Sequence, residues 1–237
     1  MFDGRSRRTA VLLLVPAAVA GLSLAGCSSS SSHSGDAALS AKAAAGAFSA
    51  AKLRGALLTR VNGVGAATPV ASGVFSSLPA AETEGRAAGA VKATPKDCAQ
   101  ATQTGFNPTV LAASPAAAVT FKVDTNGVSE VLVSSPENVS TTALAGKLPA
   151  ACAHFKETID GKTVSYTATE SALTGVGEQA RILNLQSPGD STDDLWSLVY
   201  RGKGFVGAVT VAGPNASQAA VRELGEQAYT YATRSLS

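Results

Sequence analysis

The sequence predicts an α+β domain, a twisted antiparallel sheet of hairpins packed against helices, with one helix at each end. Two observations carry this. Segments alternating with period two come in pairs around tight-turn residues, as in Ala118–Val123 and Val128–Val133 flanking Asp124-Thr125-Asn126-Gly127. Helical patterns precede and follow them, the last placing Val221, Leu224, Ala228 and Tyr231 on one face. Hairpins between helices give a sheet covered on one face by helices. The alternation of Thr163 to Glu170 implies that part of the other face meets water.

In chain order, Asp36 is placed to cap a helix running to about Arg60, with Leu39, Phe48, Leu53, Leu57 and Leu58 apolar and Gly46 and Gly55 as weak points. Residues 61 to 94 are rich in Gly, Ala, Pro and Thr and read as irregular, with short helices or strands. Pro95 to Gln100 reads as a short helix opened by proline. After the first hairpin a helix is expected from about Asn138 to Leu148. A second hairpin follows, Cys152–Ile159 and Thr163–Thr169 around Asp160-Gly161, with Val164, Tyr166 and Ala168 on one face. Strands Gln179–Leu185, Leu195–Arg201 and Phe205–Val211 complete the sheet, the last two joined through Arg201-Gly202-Lys203-Gly204. Asn215 is the expected cap of a closing helix, Ala216 to Arg234, with Gln218 reaching back.

The N-terminus carries a secretory signal ending in a lipobox. Arg5, Arg7 and Arg8 precede an apolar run, Val11 to Ala20, broken only by Pro16, and Leu24-Ala25-Gly26-Cys27 closes it. Cleavage before Cys27 and acylation of its thiol would attach the chain stably to a membrane, because one acyl chain is marginal and two or three are not. The competing reading, a spanning helix, suffers because the run falls short of the roughly 20 apolar residues a bilayer requires. The division is therefore a signal peptide over 1–26, a Ser-rich flexible tether over 27–36 that contains His33, and a single extracytoplasmic domain over 37–237.

Removing the signal takes away three of 19 basic and one of 17 acidic residues, leaving 16 of each. A neutral domain gives no electrostatic reason to expect nucleic acid as a partner, so membrane contact rests on Cys27. Cys98 and Cys152 then remain, and in an oxidising compartment they are expected to pair, stabilising the fold by roughly 4 kcal/mol through loop closure. Two buried free thiols are the alternative. A metal site has little support, since His154 is the nearby imidazole and no second histidine or CxxC completes a ligand set.

Catalytic constellations are nearly absent. His154 would have to serve any Ser-His-Asp or Cys-His mechanism, and no G-x-S-x-G elbow occurs. Asp190, Asp193 and Asp194 cluster in a loop whose spacing fits no EF-hand. Asn126-Gly127 is explained by the positive φ angles of a hairpin tip. No cofactor is implied. Trp196 reads as either core or groove lining, and Tyr166, Tyr200 and Arg201 are polar-tipped strand residues that would suit a groove on an uncovered sheet face.

The lipobox, Pro95-Lys96-Asp97-Cys98, Leu148-Pro149-Ala150-Ala151-Cys152-Ala153-His154-Phe155, Asp160-Gly161, Val199-Tyr200-Arg201-Gly202 and the closing helix fall in an order that resembles the PknH-like extracellular domain, over about Leu53 to Leu236. That family occurs in actinobacterial receptor kinases and stand-alone lipoproteins. The resemblance implies a twisted antiparallel sheet with helices framing a cleft that binds or senses an extracellular ligand. It implies no catalytic residues. Receptor-kinase members typically carry two disulfides, whereas this chain can form one.

The expected function is a non-enzymatic ligand-binding or sensor domain on the outer face of the cell membrane, facing the cell wall and partnered by an extracellular ligand or envelope protein. The alternative is a lipid or glycolipid carrier with an apolar cavity. A two-carboxylate glycosidase is the enzyme reading that survives the scarcity of histidine.

Overall fold

A computed structural model describes residues 47–79, 92–96, 98, 108–159, 162–187 and 194–237. The signal peptide, lipobox, tether and start of the Asp36 helix lie outside the described residues, as do Asp160-Gly161, Asp190 and Asp193. No helix among the described residues is long and apolar enough to cross a membrane.

Period-two alternation produces the expected strands. Helix α1 (Ala50–Arg54) leads to a two-residue hairpin, β1 (Arg60–Val61) and β2 (Val64–Gly65). Strand β3 (Ala71–Val74), a 3-10 turn at Phe75–Ser77 and β4 (Lys92–Thr94) follow in the described part of the irregular segment. Then follow α2 (Pro108–Leu111), β5 (Pro115–Val123), β6 (Asn126–Ser134), α3 (Glu137–Ala145), a 3-10 turn at Ala150–Cys152, β7 (His154–Ile159), β8 (Lys162–Leu173), β9 (Gln179–Gln186), β10 (Leu195–Gly202), β11 (Phe205–Ala212) and α4 (Gln218–Leu236). Among the described residues, nine strands form one antiparallel sheet in the order β3-β5-β6-β11-β10-β9-β8-β7-β4. The fold is α+β.

Several local expectations are corrected. The first helix ends at Arg54, where Gly55 caps it, so Leu57 and Leu58 lie in irregular chain and Arg60 starts a strand. Its described cap is Ser49, whose side chain accepts from the Lys52 amide. The β5–β6 turn is Asp124-Thr125 alone, with φ +53° at Asp124; Asn126 and Gly127 are paired strand residues. Asn126 instead turns its side-chain oxygen to the Asn215 amide, 3.1 Å away. The Asn215 side chain is turned to the Thr125 hydroxyl, 3.3 Å from its Nδ2, and Ser217 caps α4 by accepting from the Ala220 amide. On α4 the buried stripe runs through Val221, Leu224, Ala228, Ala232 and Leu236, and Tyr231 lies beside it half-buried. The Pro95 helix is described only at 95, 96 and 98; Cys98 is helical and its amide donates to Pro95 O. The turn between β10 and β11 is as expected, with Gly204 at φ +81°.

Helices cover both faces of the sheet, where one was expected. On the first face α1 and α4 bury Ala117, Val119, Phe121, Leu132, Leu198, Tyr200, Phe205, Val209 and Val211 beneath Leu53, Leu57, Val221, Leu224 and Ala228. On the second, α2, α3 and the Phe75 turn bury Val133, Val199, Val206 and Ala208 beneath Leu111, Ala143 and Leu144. The reason lies in the central strands, which read nearly continuously apolar; Phe205–Val209 is buried at every position, the signature of a strand covered twice. Towards β7 and β8 the first face opens to water through His154, Lys156, Ser165, Thr169 and Ser171, as the Thr163 to Glu170 alternation predicted.

Tyr200 is fully buried and lies edge-on to Phe205 and Tyr229, at 6.2 and 5.6 Å between ring centres. Its cross-strand partner is Gly207, where a Cβ would stand 2.3 Å from Tyr200 Cζ and 2.5 Å from its hydroxyl. Only glycine leaves room for this ring under α4. The variant Gly207→Ala is expected to lose about 2–3 kcal/mol of stability, because a fully packed ring has no free space to enter. Urea unfolding read by far-UV circular dichroism measures it, and an unchanged midpoint would show that the ring can move aside.

Candidate functional site

The site is built where the helical cover of the second face stops. Helix α3 is short of strong helix formers, and Ser140, Thr141 and Thr142 turn their hydroxyls back onto its own carbonyls at 2.8–2.9 Å. It ends at Ala145, three residues before the expected Leu148, because Gly146 is extended and Pro149 follows closely. The chain from 146 to 149 therefore runs without helical hydrogen bonding before the 3-10 turn that carries Cys152.

Cys98 and Cys152 form a disulfide with 5.2 Å between Cα atoms. It sits in a small core with Phe155, Ala168 and, half-buried, Leu148, Tyr166 and Leu185. Cys152 lies in the 3-10 turn before β7, so the period-two rule that would put His154 on its face does not apply. His154 is exposed on the opposite face of the sheet, 3.3 Å through Nδ1 from the Thr167 hydroxyl.

Between the 144–150 segment and strands β8 and β9 lies an open-sided groove of about 630 Å³. Its walls are small and apolar, Leu144, Ala145, Leu148, Pro149 and Ala150 facing Ala168 and Ala172. Its charged members are Lys147, exposed at the rim, and an ion pair in which Arg181 Nη1 lies 2.9 Å from Glu170 Oε1. Both partners are mostly shielded, with side chains 14% and 18% exposed. The other carboxylate oxygen of Glu170 accepts the amide of Leu148. One side chain thus holds the wall segment against the strand and orients the guanidinium.

The predicted site residues scatter. Tyr166 lies on the groove face of β8, stacked on Phe155 at 5.4 Å, beside the groove. Arg201 is on the same face but under the start of α3, with Nη1 3.3 Å from Glu178, 3.6 Å from Glu137 and 3.3 Å from the Thr141 hydroxyl. It ties α3 and the loop before β9 to the sheet. Trp196 is half-buried against the first-face core, on the other side of the sheet. Tyr200 is inside that core, so as a groove position it is corrected: covering both faces consumed the strand surface it was expected to line.

Glu170, Arg181 and Lys147 were missed. Glu170 was within reach, since it continues the Tyr166, Ala168 alternation by one more step. Arg181 was not, because it depends on the β8–β9 register that pairs it with Ala172. Of the aspartate cluster only Asp194 is among the described residues, where its carbonyl accepts from the Gly213 amide; no group of three or more His, Cys, Asp or Glu able to hold a metal occurs among the described residues.

No family model matches the chain, and neither does any curated protein. Among solved structures it is similar to the extracellular domain of PknH from Mycobacterium tuberculosis, at 15% identity and TM-score 0.43, over 61% of this chain and 77% of that one. It is also similar to an uncharacterized protein from Mycobacterium smegmatis, the Rv0999 ortholog, at 17% identity and TM-score 0.37, over 60% and 76% of the two chains.

Replacing Glu170 by alanine removes the carboxylate from a mostly shielded guanidinium and the acceptor from the Leu148 amide. A loss of about 1–3 kcal/mol is expected. Equilibrium unfolding in urea measures it, with Glu170→Gln recovering the part due to Leu148. A neutral E170A would mean that the wall segment is held by packing alone.

Proposed function

We infer that this chain is a lipoprotein anchored through Cys27 to the outer face of the cell membrane, working there as a non-enzymatic ligand-binding or sensor domain. The observation that carries the binding part is the groove. It is concave, lies where a sheet face is left by its helices, and combines alkyl walls with a few fixed polar groups, which is the usual make-up of a small-ligand site. A ligand with a modest apolar part would lie along the alanines, and Lys147 and Arg181 would meet its polar end. The non-enzymatic reading is supported by the placement of His154 on the opposite face of the sheet, away from the groove. The open side argues for exchange with the surroundings over the sealed storage a lipid carrier needs.

Two experiments test the parts separately. Cell fractionation should find the wild-type chain with the membrane and Cys27→Ser in the medium; a variant that still sediments with membranes removes the anchor from the proposal. Native mass spectrometry of the Cys27→Ser chain secreted from an actinobacterial host should show a retained small-molecule adduct, absent when Ala172→Trp is added, whose indole would fill the groove. A bare C27S mass, or an adduct that survives the added A172W, would argue against the groove as a tight site.

A further inference from the structure

The first-face core contains an acid. Glu130 lies on β6 between Val119 of β5 and Val209 of β11, and is 1% exposed. Its Oε2 accepts the Leu58 amide at 2.8 Å, while Oε1 has no partner, and the buried Tyr200 hydroxyl has none either. An apolar core gains nothing from a carboxyl group here and bears its desolvation. The group it touches is the chain entering the domain.

Residues 48–61 lie across the sheet as a strap. Their own backbone hydrogen bonds are local, such as Leu53 to Ser49 and Ala56 to Leu53. Among the described residues, two backbone amides of residues 48–58 reach the sheet, and both end on β6 side chains: Phe48 on the Ser134 hydroxyl at 2.9 Å and Leu58 on Glu130. Leu53, Ala56, Leu57 and Val61 fill the core beneath. The strap is thus a separate layer, joined to the sheet by side-chain latches and packing instead of a strand ladder.

We propose that residues 48–61 form an acid-tightened strap whose latch is the Glu130 carboxyl, docked while that carboxyl is protonated and loosened when it ionises. The groups that face Glu130 set the sign. Its sheet neighbours Val119 and Val209 carry no charge, the strap offers only an amide, and the titratable groups are the Tyr200 phenol from β10 and, next to it, Tyr229 from α4. No cation is there to hold a carboxylate. Burial pushes the Glu130 carboxyl from an ordinary 4.5 up to about 8, against the smaller opposite effect of the Leu58 amide. Undocking would return it to water and to its ordinary value. A group raised in the docked state contributes its full docking stability below the undocked pKa and loses it as pH rises through the docked one. The docking equilibrium therefore weakens about tenfold per pH unit between roughly 5 and 8 and levels off above.

Hydrogen exchange of the whole chain, read by mass spectrometry and corrected for the intrinsic rate, tests this at pH 5.5, 6.5 and 7.5. Peptides within 48–61 should lose protection about tenfold per unit relative to peptides of α4 and β10, and Glu130→Gln should abolish that slope. Ser134→Ala, which removes the other latch, should lower strap protection at every pH and keep the slope. A flat wild-type profile overturns the proposal, as does the same slope in E130Q. An equal loss in α4 and β10 also overturns it, since the whole domain would then be opening. If E130Q fails to fold, the strap-specific slope in the wild type and in S134A decides.

Discussion

The ladder between β6 and β11 is the joint on which the rest of the fold depends. It pairs residues far apart in the chain, from Phe205 opposite Ser134 to Ala212 opposite Gly127. Without it the sheet would be two smaller sheets, β3-β5-β6 and β11-β10-β9-β8-β7-β4, each gaining an unpaired edge. Long-range strand pairing carries a loop-closure cost that local hairpins do not. The return is that both cores form across this seam: Leu132, Gly207 and Tyr200 stand in one row on the first face, and Val133, Val206 and Arg201 in one row on the second.

Everything that distinguishes one side of the molecule from the other follows from strand parity measured from that seam. Even positions of β6 and β10 and odd positions of β11 meet α1 and α4; their neighbours meet α2 and α3. The helical cover is narrower than the sheet. On the first face its limit leaves a hydroxyl-rich, wet surface on β7 and β8. On the second it leaves the groove, because α3 ends early and the disulfide brings the chain back only at Cys152.

The groove and the strap are consequently independent features, on opposite faces and governed by different acids. Glu170 is paired and hydrogen-bonded and holds a wall in place. Glu130 has one amide and no counter-ion, a local conflict with its apolar surroundings of the kind proteins keep where it serves a purpose beyond stability. The aromatic cluster of Phe48, Tyr200, Phe205 and Tyr229 brings the start of the strap, the sheet and α4 together through ring contacts of 5.6 to 6.5 Å.

Strand positions and the hairpin at Lys203-Gly204 were legible in the sequence, because period-two alternation and turn chemistry are local. The α+β class followed from their order, and Cys98 and Cys152 were legible as a pair on the expectation that Cys27 belongs to a lipobox. What local pattern cannot carry is which residues make a polar contact: the Asn215 amide donates to Asn126, the turn sits at Asp124-Thr125, and Ser217 caps the helix. Nor does alternation say how many faces are covered, since Tyr200 reads the same whether its face meets helix or water. The candidate groove was the least legible feature, because Glu170, Arg181 and Leu148 meet only through the β8–β9 register and an early helix end. Local preference determined the elements of this protein; the long-range seam and the limits of its helical cover decided the site.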